Sequence, residues 1–301
     1  YNYLFMELAV ELRRMPVGRE LAQRLLDIYE RPGDFFPNSE ELVRGQFEMW
    51  EGASRGFLGE ESPRYPGVPA AALATRSVGL NYPTMAGLLV LPSVGLLFPG
   101  DPEAAYRAAY EAAFFDIGYA REATALLAAA QSAALAGKAP NVVVYETLAM
   151  DPLHLRGYFG GPFIGEKLPL LLKQAAGKKG EELANFLSSA LRHFSVFDPY
   201  RALAIACAAL LAHADDPWQA LLVAANHGDL DEAGTWRRYA DIDCYAGITG
   251  ALIGACCGDR VLPEELIVRV VEGNRVVYSF DLEDTIERFA QLILFLTGSE
   301  D

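Results

Sequence analysis

The chain has 301 residues, 52% of them hydrophobic, and a formal net charge of −15. That is ample apolar material for one large core, and the acidic balance argues against nucleic-acid phosphates and anionic membrane surfaces as partners. Cys207, Cys244, Cys256 and Cys257 form no CxxC pair, no charged-then-apolar leader opens the chain, and the apolar runs 85–98 and 203–212 are shorter than the ~20 residues of a membrane span, so a cytoplasmic protein with reduced thiols is expected.

In chain order, Leu4, Leu8, Val10 and Leu12, then Leu21, Leu25, Ile28 and Tyr29, recur at helical spacing and predict two helices joined near Met15-Pro16-Val17-Gly18. The chain opens on Tyr1-Asn2-Tyr3-Leu4, already inside an apolar pattern with no capping residue, so native residues are expected upstream of Tyr1. A helix follows over 40–55, and the Gly- and Pro-rich stretch 56–69 reads as a surface loop. Asn81-Tyr82-Pro83 leads into the apolar run 88–97. Asp101 is placed to cap a helix that begins at Pro102 and runs towards Phe115. The next helix spans 118–135 and stops at Gly137. Val142-Val143-Val144-Tyr145 has strand propensity, but its helical setting favours a short helix. Tyr158-Phe159-Gly160-Gly161-Pro162 is a break, followed by helical runs at 167–175, 181–192, 199–214 and from Asp216-Pro217 to Ala225. After Leu262-Pro263 a helix runs through Val271, and Asp281 caps the last one, 285–296. Almost nothing alternates with period two, so the expected fold is all-α: one compact domain, spanning 1–301, of about a dozen orthogonally packed helices.

The chemistry concentrates at Asp241-Ile242-Asp243-Cys244. Two carboxylates and a thiol lie within four residues at the mouth of an apolar helix, and clustered carboxylate oxygens bind hard divalent cations. An Asp-x-Asp start also serves as a helix N-cap and dipole partner, and both readings stay open from these four residues alone. Behind them Ala246, Gly250 and Gly254 recur every fourth position, leaving a bare helix face that predicts close approach of another backbone. Upstream, Asn226, His227 and Gly228 end a helix, separated from Asp241 by the twelve residues Asp229 to Ala240. They are either a polar wall of a substrate pocket or an ordinary C-terminal cap with a satisfied His. Asp116, Gly118 and Tyr119 sit between two helices beside Phe114 and Phe115. A hinge with core aromatics is the favoured reading there, and stacking on a base or sugar is the alternative.

Other motifs fail on their own terms. The stretch from Asp229 imitates a calcium loop but has Ala233 and Ala240 where oxygen ligands are required. Gly160 to Lys167 imitates a phosphate loop with Glu166 at the Lys position. No Gly-x-Ser-x-Gly elbow and no His-x-x-x-His spacing occur.

Asp241-Ile242-Asp243-Cys244 with Gly247, Gly250, Gly254, Gly258 and Leu262-Pro263 resembles the C-terminal signature of ADP-ribosylglycohydrolases. Leu96-Leu97-Phe98-Pro99-Gly100-Asp101-Pro102 resembles that family's mid-domain helix start. The resemblance implies an all-α fold and two Mg²⁺ ions in a central cleft. Asp241, Asp243 and Cys244 would be ligands, and further carboxylates would come from an N-terminal acidic run just before Tyr1. A second alignment sets Tyr1-Asn2-Tyr3 on those ligand positions and implies an inactive site. The implied activity is Mg-dependent hydrolysis of a glycosidic bond to ADP-ribose or a related nucleoside or sugar conjugate, on a small-molecule or ADP-ribosylated substrate. The alternative is a non-catalytic ligand-binding or structural relative. The chain departs from the pattern at Cys244, which replaces a hydroxyl ligand, at Ala240, which replaces Gly, and at an inserted stretch, 229–240. The family's upstream catalytic Glu has no counterpart, so no catalytic residue is assigned.

Overall fold

The computed structural model describes residues 1–76, 78, 82–155, 163–258 and 262–298; the predicted break at Tyr158–Pro162, Asn81 and most of the Gly160–Lys167 stretch's glycines lie outside them. The first half builds α1 (Asn2–Leu12), α2 (Gly18–Glu30), the single turn α3 (Pro32–Phe35), α4 (Glu40–Leu58), α5 (Ala70–Leu73), α6 (Ala86–Val90), a 3-10 turn (Val94–Leu97) and α7 (Pro102–Ala112). Then come α8 (Tyr119–Leu135), α9 (Pro140–Leu148), α10 (Phe163–Ala175), α11 (Gly180–Ala190), α12 (Pro199–Ala212) and α13 (Pro217–Ala225). A two-stranded hairpin, β1 (Gly228–Leu230) and β2 (Trp236–Tyr239), precedes α14 (Ile242–Cys257), α15 (Glu264–Tyr278) and α16 (Leu282–Thr297). The all-α expectation holds. The helices number sixteen among the described residues because the count of a dozen passed over the short ones.

Helix α8 is the axis of the molecule. Gly118, at φ 56°, starts it, and its alanines are buried on every side. A helix apolar all round belongs in a core, and Ala side chains let neighbours come close. One buried cluster joins α8 to the helices from α9 to α14. A second gathers α1, α2, α4, α7 and α16 and reaches α8 at Ala128. The first and last helices thereby meet: Phe5 packs edge-on against Phe289, and Arg288 Nη2 donates to Glu7 at 2.6 Å.

Capping explains several helix starts. Asp101 accepts from the Ala104 amide, Asp198 from Tyr200 and Asp216 from Gln219, each just ahead of a proline at the first helical position. Helix α4 outruns the predicted end at Arg55, because Gly56 is the point where it crosses α5; a Cβ there would overlap the Ala74 amide. The hairpin was not expected from the pattern of 229–240. Its strands are short, bulged between Asp229 and Leu230, and exposed along β2, so no alternation of burial marks them.

The close backbone approach predicted at α14 occurs elsewhere. A Cβ on Gly247 or Gly254 would meet nothing, and on Gly250 only Leu221 Cδ2 at 3.9 Å. Gly247 and Gly254 face away from the neighbouring helices α8, α12 and α13, which pack instead on Tyr245, Ile248, Leu252 and Ile253. The tight contact is at Gly95, where a Cβ would overlap the Ala128 carbonyl of α8. We expect Gly95→Ala to cost about 2 kcal/mol in urea denaturation, because rigid backbone must move apart. Gly254→Ala should be neutral or mildly stabilising, since Ala is the better helix former.

Candidate metal centre

The hairpin decides how α13 leads into α14. It pairs Gly228 with Tyr239, and the Ala240 amide donates to the His227 carbonyl at 3.1 Å. Residues 227 and 240 are therefore adjacent although the chain runs out and back between them. Arg201 on α12, fully buried, locks this junction. Its guanidinium donates to the carbonyls of Phe194 (3.1 Å) and Gly228 (2.8 Å) and lies 3.9 Å from Asp229. Arg201→Lys, which cannot reproduce the planar fork, is expected to lower stability by about 2 kcal/mol, read by thermal or urea unfolding. A lone Arg inside an otherwise apolar helix was the signal in the sequence for such a lock.

Asp241 emerges from the junction at the N-cap position of α14 (φ −80°), but its carboxylate makes no capping bond. It turns instead to Asp243 and Cys244. One ligand atom from each of the three lies within 4.8 Å of the others. Burial raises the Asp241 carboxyl above the usual range; the Cys244 thiol, hydrogen-bonded to it, pulls back, and the charge and hydrogen bond of Asp243 push up again. The charge of Asp243 is thus close enough to act on the Asp241 carboxyl. Burial, and then the Asp241 charge, hold the Cys244 thiol well above its ordinary value, so it stays a neutral S–H. The start of α14 adds its own positive end to the site.

The donor set suits a hard divalent cation through Asp241 and Asp243. A neutral thiol is a poor Mg²⁺ ligand; Cys244 is hydrogen-bonded to the first carboxylate, Asp241. Among the described residues no second group of three His, Cys, Asp or Glu donors gathers. Tyr1, at the start of α1, reaches the same place: its phenol, raised chiefly by burial, also feels the Cys244 thiol. Beyond Tyr1 opens a cleft of about 680 Å³, walled by α1, α4, α15 and α16; neither Asp241 nor Asp243 lines it.

The other sequence-derived candidates lie apart from the carboxylates to different degrees. His227 is next to α14, its ring edge-on to Tyr245 at 5.5 Å, but it is wholly buried with Nδ1 3.4 Å from Ser188 Oγ. Burial, helped by the Arg201 charge, lowers its pKa to about 3, so it is neutral. The Gly228 amide donates to Ser188 Oγ at 3.0 Å. Asn226 is exposed and donates to the Leu222 carbonyl of its own helix. Asp116 is buried between α6 and α8, accepting from the Gly87 amide (3.2 Å) and Thr124 Oγ1 (2.9 Å). Tyr119 is half-buried, stacks on Phe163 and donates to Asp198 at 2.6 Å. Gly118 supplies only the turn between them. Phe114 and Phe115 are core aromatics, packed on Phe57 and Trp50.

A family model described as ADP-ribosylglycohydrolase matches residues 6–298. No curated protein and no solved structure matches the chain.

Proposed function

The chain belongs to the ADP-ribosylglycohydrolase family, and from that premise we propose that it is a Mg²⁺-dependent hydrolase of a glycosidic bond to ADP-ribose or a related nucleoside or sugar conjugate. The observation that carries the proposal is the Asp241–Asp243–Cys244 cluster at the head of α14, whose first carboxylate is left free of capping duty. Asp241 and Asp243 would hold the cation, as one side of the two-ion centre that the family resemblance implies. A bound Mg²⁺ orients ribose hydroxyls, polarises the scissile bond or a water, and offsets the acidic field that would otherwise repel a diphosphate. The residues' own parts are simpler. Arg201 and the hairpin fix where Asp241 stands, Tyr245, whose hydroxyl donates to the Val196 carbonyl at 2.5 Å, anchors the first turn of α14, and Cys244 donates its S–H to Asp241. The free thiols of all four cysteines support a reducing compartment such as the cytoplasm, and no described helix is long and apolar enough to cross a membrane.

The test is titration calorimetry of the chain with Mg²⁺ and with ADP-ribose, coupled to release of ADP-ribose from an ADP-ribosylated peptide. Saturable Mg²⁺ binding with Mg-dependent release supports the reading; absence of both sinks it. A second reading, a non-catalytic relative, is favoured by one feature: the thiol of Cys244 stands where the family resemblance implies a hydroxyl ligand. Binding of ADP-ribose without any turnover would decide for that reading.

A further inference from the structure

Beside the hairpin, α11, α13 and β2 line a hollow of about 380 Å³. Its walls carry the amides of Asn185, Gln219 and Asn226, the Glu181 carboxylate and the rings of Trp236 and Tyr239. The rings are half exposed, at 49% and 56%, and stand perpendicular with centroids 5.3 Å apart. Trp236 is held in place, because its ring lies directly over the Gly228 backbone, where a Cβ would overlap it. Asn226 uses its N–H on Leu222, which leaves its carbonyl oxygen for a ligand. The side chains of Asn185 and Gln219 have no hydrogen-bond partner among the described residues.

We propose that this hollow is a binding site for a neutral carbohydrate, and that the inserted 229–240 segment exists to build it. Fixed aromatic faces take the apolar C–H side of a sugar ring. Amides, which offer donor and acceptor on one planar group, suit vicinal hydroxyls, each itself donor and acceptor. A hollow at the small end of ligand-site volumes fits one or two sugar rings. Glu181 and the net charge of −15 weigh against an anionic ligand. The site shares no side chain with the Asp241–Asp243 pair, so the inference stands or falls separately from the Mg²⁺ reading.

The experiment is saturation-transfer NMR of the whole chain with a panel of neutral sugars: glucose, galactose, mannose, N-acetylglucosamine, ribose and the β1,4-linked disaccharides of the first four. At least one should receive saturation and shift the Trp236 emission. Tyr239→Ala and Asn185→Ala, both changes of exposed side chains, should each weaken it at least tenfold, and Asn185→Ala, which lies outside the hairpin, should leave the unfolding midpoint and Mg²⁺ binding as they were. Trp236→Ala should abolish it; because that change also loosens the hairpin, the first two variants carry the decision. No saturation from any sugar overturns the proposal, as does binding that survives Tyr239→Ala and Asn185→Ala together.

Discussion

Cys244→Ser is expected to bind Mg²⁺ roughly tenfold more tightly than the native protein, whereas the double variant Asp241→Ala, Asp243→Ala should bind it at least roughly a hundredfold more weakly. The reasoning starts from donor chemistry. The site already places three donor atoms within 4.8 Å, but one is a sulfur that burial and the neighbouring Asp241 keep protonated. Mg²⁺ prefers oxygen and sheds its water reluctantly. Serine keeps the reach of the side chain and the hydrogen bond to Asp241 while exchanging sulfur for oxygen. Cys244→Ala is the informative control: if the thiol is not a ligand, removing it should change affinity far less than removing either carboxylate. Calorimetry at one pH, with the unfolding midpoint checked for each variant, measures all four. Tighter binding by Cys244→Ala than by Cys244→Ser would mean that the hydroxyl cannot reach the ion, and the assignment of this cluster would be lost.

Much of this was legible in the sequence because it is local. Asp101 and Asp216 announce helices through side-chain oxygens and the following prolines, and each caps as its spacing implies. The pairing of Asp241 with Asp243 and Cys244 is likewise local, since one helical turn brings them together. What escaped is set by partners distant in the chain. Gly250 and Gly254 carry the spacing of a close helix contact, yet which face of α14 is covered depends on where α8, α12 and α13 lie. Gly95, which makes such a contact, has no repeat around it. His227, unlike Asn226, does return to the head of α14, but through a hairpin whose short strands have no periodic signal. The fates of the two differ, His227 buried against Ser188 and Asn226 facing solvent. Glu122 is a further case. It accepts from the Gly165 amide at 2.8 Å and so caps α10 from another helix, a role that no local pattern encodes.

The second large effect concerns Asp116, and it is a pH dependence. Burial lifts this carboxyl from 3.8 to about 7, against the opposing pull of Thr124, the Gly87 amide and the Arg121 charge. Glu122 is lifted to about 7 as well, chiefly by burial, with the amides of Gly165, Ile164 and Phe163 opposing. In the window between the unfolded and folded values the native state holds protons that the unfolded chain has released. Stability must therefore fall as pH rises: the contribution is complete below about pH 4 and is gone once pH has passed through about 7. For Asp116 alone the linkage is of the order of 4 kcal/mol. Asp116→Asn should remove it. Its amide oxygen can still accept from Gly87 and its N–H can donate to Thr124 Oγ1, so little should change at pH 5. At pH 8 the variant should be the more stable protein by a few kcal/mol, with the residual slope belonging to Glu122. Asp116→Ala, which strands the Gly87 amide and the Thr124 hydroxyl, should be destabilised at both pH values by about 2 kcal/mol relative to Asn. Urea denaturation of the three proteins at pH 5 and pH 8 measures this, and equal destabilisation of Asp116→Asn at both would mean that the carboxyl is ionised throughout and that its two accepted hydrogen bonds outweigh its burial.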